Sequence, residues 1–150
     1  MLSLRKAMLM GVLCISITTK AQTTSEVKPA IFANYPAIIS IPESSLQNIF
    51  SFTANQETVI DFGSNLLFPC KVLRNETKYG NMQTVIFRST AFNNAMLQVT
   101  KIVNRDQSIS YNGRIINERA ADGFEIKKAV GTGQYQLTKF ETDKILEGCM

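Results

Sequence analysis

The chain has 150 residues, with 16 basic and 12 acidic side chains giving a net charge of +4, and no histidine. Without histidine it lacks the commonest general base, the commonest metal ligand and the usual partner of a catalytic serine or cysteine. Past residue 21 the basic residues are scattered singly apart from Lys127-Lys128, so there is no concentrated cationic face of the kind that displaces counterions from nucleic acid.

The amino terminus has the order of an export signal. Met1 to Lys6 is short and carries Arg5 and Lys6, and Ala7 to Ile17 is apolar apart from Ser16. Thr19-Lys20-Ala21 then sets small residues three and one before a cut ahead of Gln22, which predicts a secretory signal peptide over 1–21. The apolar run is about half of the ~20 residues that span a bilayer, and nothing later in the chain is long and apolar enough to cross one. Bulky Leu13, immediately before Cys14, argues against lipid attachment at that cysteine. Cleavage removes Arg5, Lys6 and Lys20 and no acid, leaving 13 basic against 12 acidic residues, a net +1. The remaining 129 residues suit a single domain that buries a core without metal.

Residues 22–34 are polar and aperiodic and read as a flexible lead-in, with the domain proper over 35–150. "YPAIISIP", Tyr35 to Pro42, is a short extended segment with prolines near both ends, suited to a sheet edge. "PESSLQNIF" offers Pro42 as the first residue of one helical turn, but equally a connection, and is read as coil. From Ile49 onward short runs rich in Val, Ile, Phe, Tyr and Thr are broken by Gly, Asn and Asp, the pattern of strands. "ETVIDF" is the first, followed by the turn "GSN". "LLFPCKVLRN" is the second, where Pro69 implies a bulge or an edge position. "ETKYGN" supplies a turn with Gly80 suited to positive φ, leading into "NMQTVIFRS". In "AMLQVTKIV" Leu97 and Val99 alternate with Gln98 and Thr100. "SISYNGRII" sets Ile109, Tyr111 and Ile115 on one face and is read as one strand with a bulge at the glycine, although Asn112-Gly113 is also a hairpin-turn sequence. "GFEIKK" turns Phe124 and Ile126 inward, and "QYQLTK" does the same with Tyr135 and Leu137. Gly131-Thr132-Gly133 between them reads as a hairpin loop, too short for a phosphate-binding loop. "TDKILE" has modest helical character, with a final strand as the alternative. Alternation of this kind belongs to antiparallel strands with one wet face. Turns every 8–12 residues predict an all-β fold, an antiparallel sandwich or open barrel built from consecutive hairpins.

Cys70 and Cys149 are the two cysteines left after signal removal. An even number in an exported chain is the usual mark of a bridge, so they form the candidate disulfide. It would close a loop of 80 residues and stabilise by at most roughly 4.5 kcal/mol through loss of unfolded-chain entropy. Two unbridged thiols are the alternative. Their spacing does not make a closed zinc site, and no metal or other cofactor is expected. For acid–base chemistry the candidates are Glu118, Asp122 and Glu125, or Glu141 and Asp143. A glycosidase needs two carboxyl groups facing each other across a cleft, and the solvated reading of these residues is the simpler one, so no catalytic residue is assigned. "NET" at Asn75 to Thr77 fits the N-glycosylation pattern, with a turn asparagine as the alternative.

From Ser110 to Cys149 the chain resembles the end of the β-rich prosegment-like region of secreted bacterial reprolysin-type metalloproteases. The matching residues are Gly113 and Ile115 in one strand, Gly123, Phe124 and Ile126 in the next, then Gly133, Tyr135 and Leu137, and finally Cys149. The match covers about a quarter of the chain, and the histidine-rich zinc motif of those enzymes is absent. The resemblance implies a stand-alone module of prosegment type. In such regions a cysteine can coordinate the protease zinc, a role open to Cys149 only if it is unpaired.

The expectation is an exported, non-enzymatic β domain that acts by contact with an unknown protein partner, in the periplasm or at the cell surface. Strand addition at an exposed edge is one available mode, with the edge bearing Pro36 and Pro42 blunted. The alternatives are an inhibitor of a secreted zinc protease using Cys149, and a small carboxylate-dependent hydrolase.

Overall fold

The computed structural model describes residues 27–142. The expected signal peptide, Asp143, Cys149 and all but the first residue of "TDKILE" lie outside the described residues. Within them the chain forms β1 (Ile38–Ser40), α1 (Glu43–Ile49), β2 (Glu57–Asp61), β3 (Leu67–Lys78), β4 (Met82–Ser89), β5 (Met96–Val103), β6 (Ile109–Ile116), β7 (Asp122–Lys128) and β8 (Tyr135–Glu141). All eight strands join one antiparallel sheet in the order β1-β8-β7-β6-β5-β4-β3-β2, curled into a half-barrel. The fold is therefore the open barrel of consecutive hairpins, not the sandwich. Among the described residues no helix is long and apolar enough to cross a membrane.

Strand alternation places the core. Val85 and Phe87 of β4, Leu97 and Val99 of β5, and Phe124 and Ile126 of β7 all point inward and are buried. From β2 to β8 sequence order pairs the neighbours, because each hairpin brings the next strand alongside the last, while β1 joins the far edge by pairing with β8. "SISYNGRII" is a single strand, as expected, but its register with β5 is unbroken and there is no bulge at Gly113. The glycine answers a different demand. A Cβ there would lie 2.4 Å from the Gln98 carbonyl oxygen on β5, so the tight curl of the sheet at this point leaves no room for a side chain. The bulge lies instead in β3, between Val72 and Arg74. Pro69 pairs with Val59 of β2 on one side, and on the other it sits just beyond the last residue pair with β4. Its missing N–H therefore costs no ladder hydrogen bond.

The expected coil over "PESSLQNIF" is the helix α1. Pro42 sits at the N-cap with φ −61° and ψ 133°, and its carbonyl accepts from the Ser45 and Leu46 N–H groups. Seven residues make a marginal helix by themselves, and what sustains this one is burial of Leu46 and Ile49, three apart on one face. The helix links the two edge strands and lies against β2. Just after it, Phe50 stacks on Tyr111 with ring centroids 5.9 Å apart, and Tyr135 meets Tyr111 edge-on at 5.3 Å. Pairing between β6 and β7 covers only Gly113 to Ile115. Where the two strands part, the Tyr135 hydroxyl accepts the Tyr111 N–H at 3.0 Å, so that backbone donor stays satisfied.

The expected flexible lead-in does not extend to Ile31 and Phe32. Phe32 is completely buried, with its ring 5.1 Å from Phe92 and 5.2 Å from Phe124. A polar run with an isolated phenylalanine has no periodicity to announce this, because the segment crosses the barrel end rather than running along the sheet.

Candidate functional site

Inside the barrel, large side chains fill the space, and no buried side-chain polar atom among the described residues lacks a hydrogen-bond partner. One depression, of about 530 Å³, lies between Ser40–Glu43 and the β7–β8 loop; three others are lined by outer-face and loop residues. A coiled sheet is saddle-shaped, so its outer surface is concave along the strands even while it is convex around the barrel. Across β4, β5, β6 and β7 this concavity makes a trough of about 760 Å³. Its walls carry the half-exposed Ile86, Met96 and Ile116. Thr100 lies on its floor and is 9% exposed despite facing outward, with its hydroxyl 3.0 Å from that of Thr84.

At Met96 and Ile116 the trough meets a second depression of about 490 Å³ that adds Arg88. That one shares Asn93, Asn94, Asn117, Glu118 and Arg119 with a third, of about 760 Å³, reaching Val27 to Pro29. The three adjoin through these shared residues, a groove that follows β5 along the outer face and ends among the β4–β5 and β6–β7 loops. Those loops are held in place. The Ser89 hydroxyl accepts from the Ala91 and Phe92 N–H groups and donates to the Pro69 carbonyl. Asn93 and Asn94 both take left-handed backbone, φ 48° and 61°, a conformation asparagine tolerates better than most residues. Asn117 ties the two loops together: its amide donates to the Asn93 carbonyl at 2.8 Å, and its side-chain oxygen accepts from the Arg119 N–H at 2.9 Å.

One rim of the trough is an ion-pair relay. Glu125 of β7 meets Arg114 at 3.2 Å and Lys127 at 2.7 Å. Partial burial works to raise its pKa, but hydrogen bonds and charge from Lys127 and Arg114 outweigh that and hold it below the ordinary carboxylate range.

The other carboxylates expected from sequence are not gathered around one cleft. Glu118 lines the loop end of the groove. Asp122 is buried on the inner face, where its carboxylate accepts the Ile31 and Phe32 N–H groups at 2.8 and 3.0 Å. Glu141, the register partner of Asp122, is exposed at the end of β8. No group of three or more metal-ligating side chains is found among the described residues. Cys70 sits in the core on β3, and burial pushes its thiol up to about 12. Its candidate partner Cys149 lies outside the described residues. Asn75 belongs to β3 rather than to a turn. Its amide donates to the Phe50 and Phe52 carbonyls and its oxygen accepts from Gln83, so the nitrogen a glycan would need is engaged in the fold. Gly131-Thr132-Gly133 is the expected hairpin loop, both glycines having positive φ.

Sequence reading missed the groove itself. Its residues alternate along strands that were predicted, but the neighbouring strand on each side is set by register, and no motif marks Asn93, Asn94 and Asn117. Comparison with family models, with curated proteins and with solved structures finds no match to this chain.

Proposed function

We propose that this chain is an exported, non-enzymatic domain that binds a protein partner in the periplasm or at the cell surface, through the outer face of its barrel. The observation that carries this reading is the contrast between a filled interior and a formed groove outside it. A barrel that carries a small molecule keeps a cavity between its strands, and here that space is occupied by side chains of the core. The groove has half-exposed aliphatic side chains between polar ones, on strands and pinned loops that lose little freedom when a partner docks. That combination suits contact with another chain.

Selection from a random peptide library against the purified protein tests it. Enriched peptides are expected to lose binding when Met96 and Ile116 are both changed to lysine, which places charge on the apolar walls without touching the core. A selection with no enrichment, or peptides indifferent to the two lysines, overturns the reading.

A further inference from the structure

We infer that the groove along β5 takes an extended peptide that carries acidic and apolar side chains on one face. The inference rests on the protein-binding reading above and names the chemistry of the partner. Outward residues 96, 98 and 100 of β5 recur at the strand repeat, roughly 7 Å per two residues. An extended chain lying along the groove has the same repeat, so every second side chain points into it and the intervening ones point away. The apolar positions are Ile86, Met96 and Ile116.

The charge of the lining sets the rest. Four basic residues, Lys28, Arg88, Arg114 and Arg119, line it together with two carboxylates, Glu118 and Glu125. Arg114 is engaged with Glu125, and Glu125 is also neutralised by Lys127. Arg88 and Arg119 are exposed and have no carboxylate partner among the described residues. Both line the middle depression with Met96 and Ile116, Arg88 as the register partner of Met96. A guanidinium presents a planar fork of donors matched to a carboxylate, and Asn93 and Asn94 line the same depression. Acidic polysaccharides and single-stranded nucleic acid share the negative charge, but such sites use aromatic faces for sugars or bases, and none of the described residues lining this groove is aromatic.

The test is fluorescence anisotropy with the full chain and three labelled probes: a dodecapeptide repeating aspartate, serine, valine and serine, which sets aspartate and valine on one face, its counterpart with lysine for aspartate, and an oligogalacturonate. The aspartate peptide is expected to bind, more weakly as salt rises, and the lysine peptide to fail. Arg88→Glu with Arg119→Glu, both at exposed positions, is expected to weaken the aspartate peptide about tenfold or more. Arg105→Glu, in the β5–β6 loop at the far end of β5, is expected to change nothing. The inference is overturned if the lysine peptide or the oligogalacturonate binds as well as the aspartate peptide, if Arg105→Glu matches the double variant, or if the aspartate peptide does not bind. Groove-dependent peptides of neutral or basic composition from the library selection would remove this inference and leave the protein-binding reading standing.

Discussion

At one end of the barrel, Asn75 and Gln83 hold the exit of α1 with neutral amides, donating to the Phe50 and Phe52 carbonyls. At the other end, Asp122 and Lys139 hold residues 31–35 with full charges. The carboxylate takes the Ile31 and Phe32 N–H groups, and the Lys139 ammonium donates to the Phe32 and Tyr35 carbonyls, both at 2.6 Å. Lys139 also lies 5.7 Å from the centre of the Phe124 ring. The difference follows from what each device must fasten. The helix exit is continuous with elements that already pack, and half-buried amides suffice. The 31–35 segment has no strand partner on the way in, so backbone groups of both polarities must be met by side chains. A buried charge with its hydrogen bonds complete holds such a segment firmly, and is costly when a partner is lost.

The largest effect expected is at Phe32. Phe32→Ala should cost about 3–5 kcal/mol, the usual range for emptying a phenylalanine site in a core, read as a fall in the urea midpoint. A loss below about 1 kcal/mol, the level of a surface change, would mean that this end is covered but not held. Next comes the direct contrast of the two clamps. Asp122→Asn keeps one acceptor and turns an NH₂ toward a backbone donor, and should cost about 2–3 kcal/mol. Asn75→Ala leaves the Phe52 carbonyl without its donor and Gln83 without its Asn75 acceptor, while the Phe50 carbonyl keeps Gln83, and should cost about 1–2 kcal/mol. If the order reverses, charge is not what distinguishes the ends. Asn75→Ala also bears on the glycosylation pattern, since an asparagine required by the fold is constrained before any sugar is considered.

The strands β4 to β8 were legible because alternation is a local property: Val85, Phe87, Leu97 and Val99 announce their face by spacing alone. Ile109 shows where that reasoning stops. It shares parity with Tyr111 and Ile115 yet is 43% exposed, because β6 has already parted from β7 at that point. The helix α1 was not legible, since its two buried residues gain their partners only after the sheet has curled. The choice of barrel over sandwich depends on one sheet running unbroken through eight strands, which no single run of residues records. The groove depends on register across four strands and on two loops tied by Asn117. Its apolar residues were expected in the sequence simply as strand residues.

Glu125 supplies the lower bound for the comparison of clamps, since it is also a carboxylate with two partners but lies at the surface. Its partners Arg114 and Lys127 have side chains 53% and 56% exposed, so solvent screens both pairs, and Glu125→Gln should cost only a few tenths of a kcal/mol at neutral pH. The pH dependence has a definite sign. The folded pKa is depressed, so the contribution of Glu125 is present above the unfolded value of about 4.3. It is lost as pH falls through the lower folded value, where the side chain protonates in both states. Thermal melts of wild type and Glu125→Gln should therefore differ slightly at neutral pH and converge below about pH 4. A gap that persists unchanged into acid would assign the effect to packing on the trough rim rather than to charge. A gap as large as that of Asp122→Asn would mean that burial is not what makes the inner clamp strong.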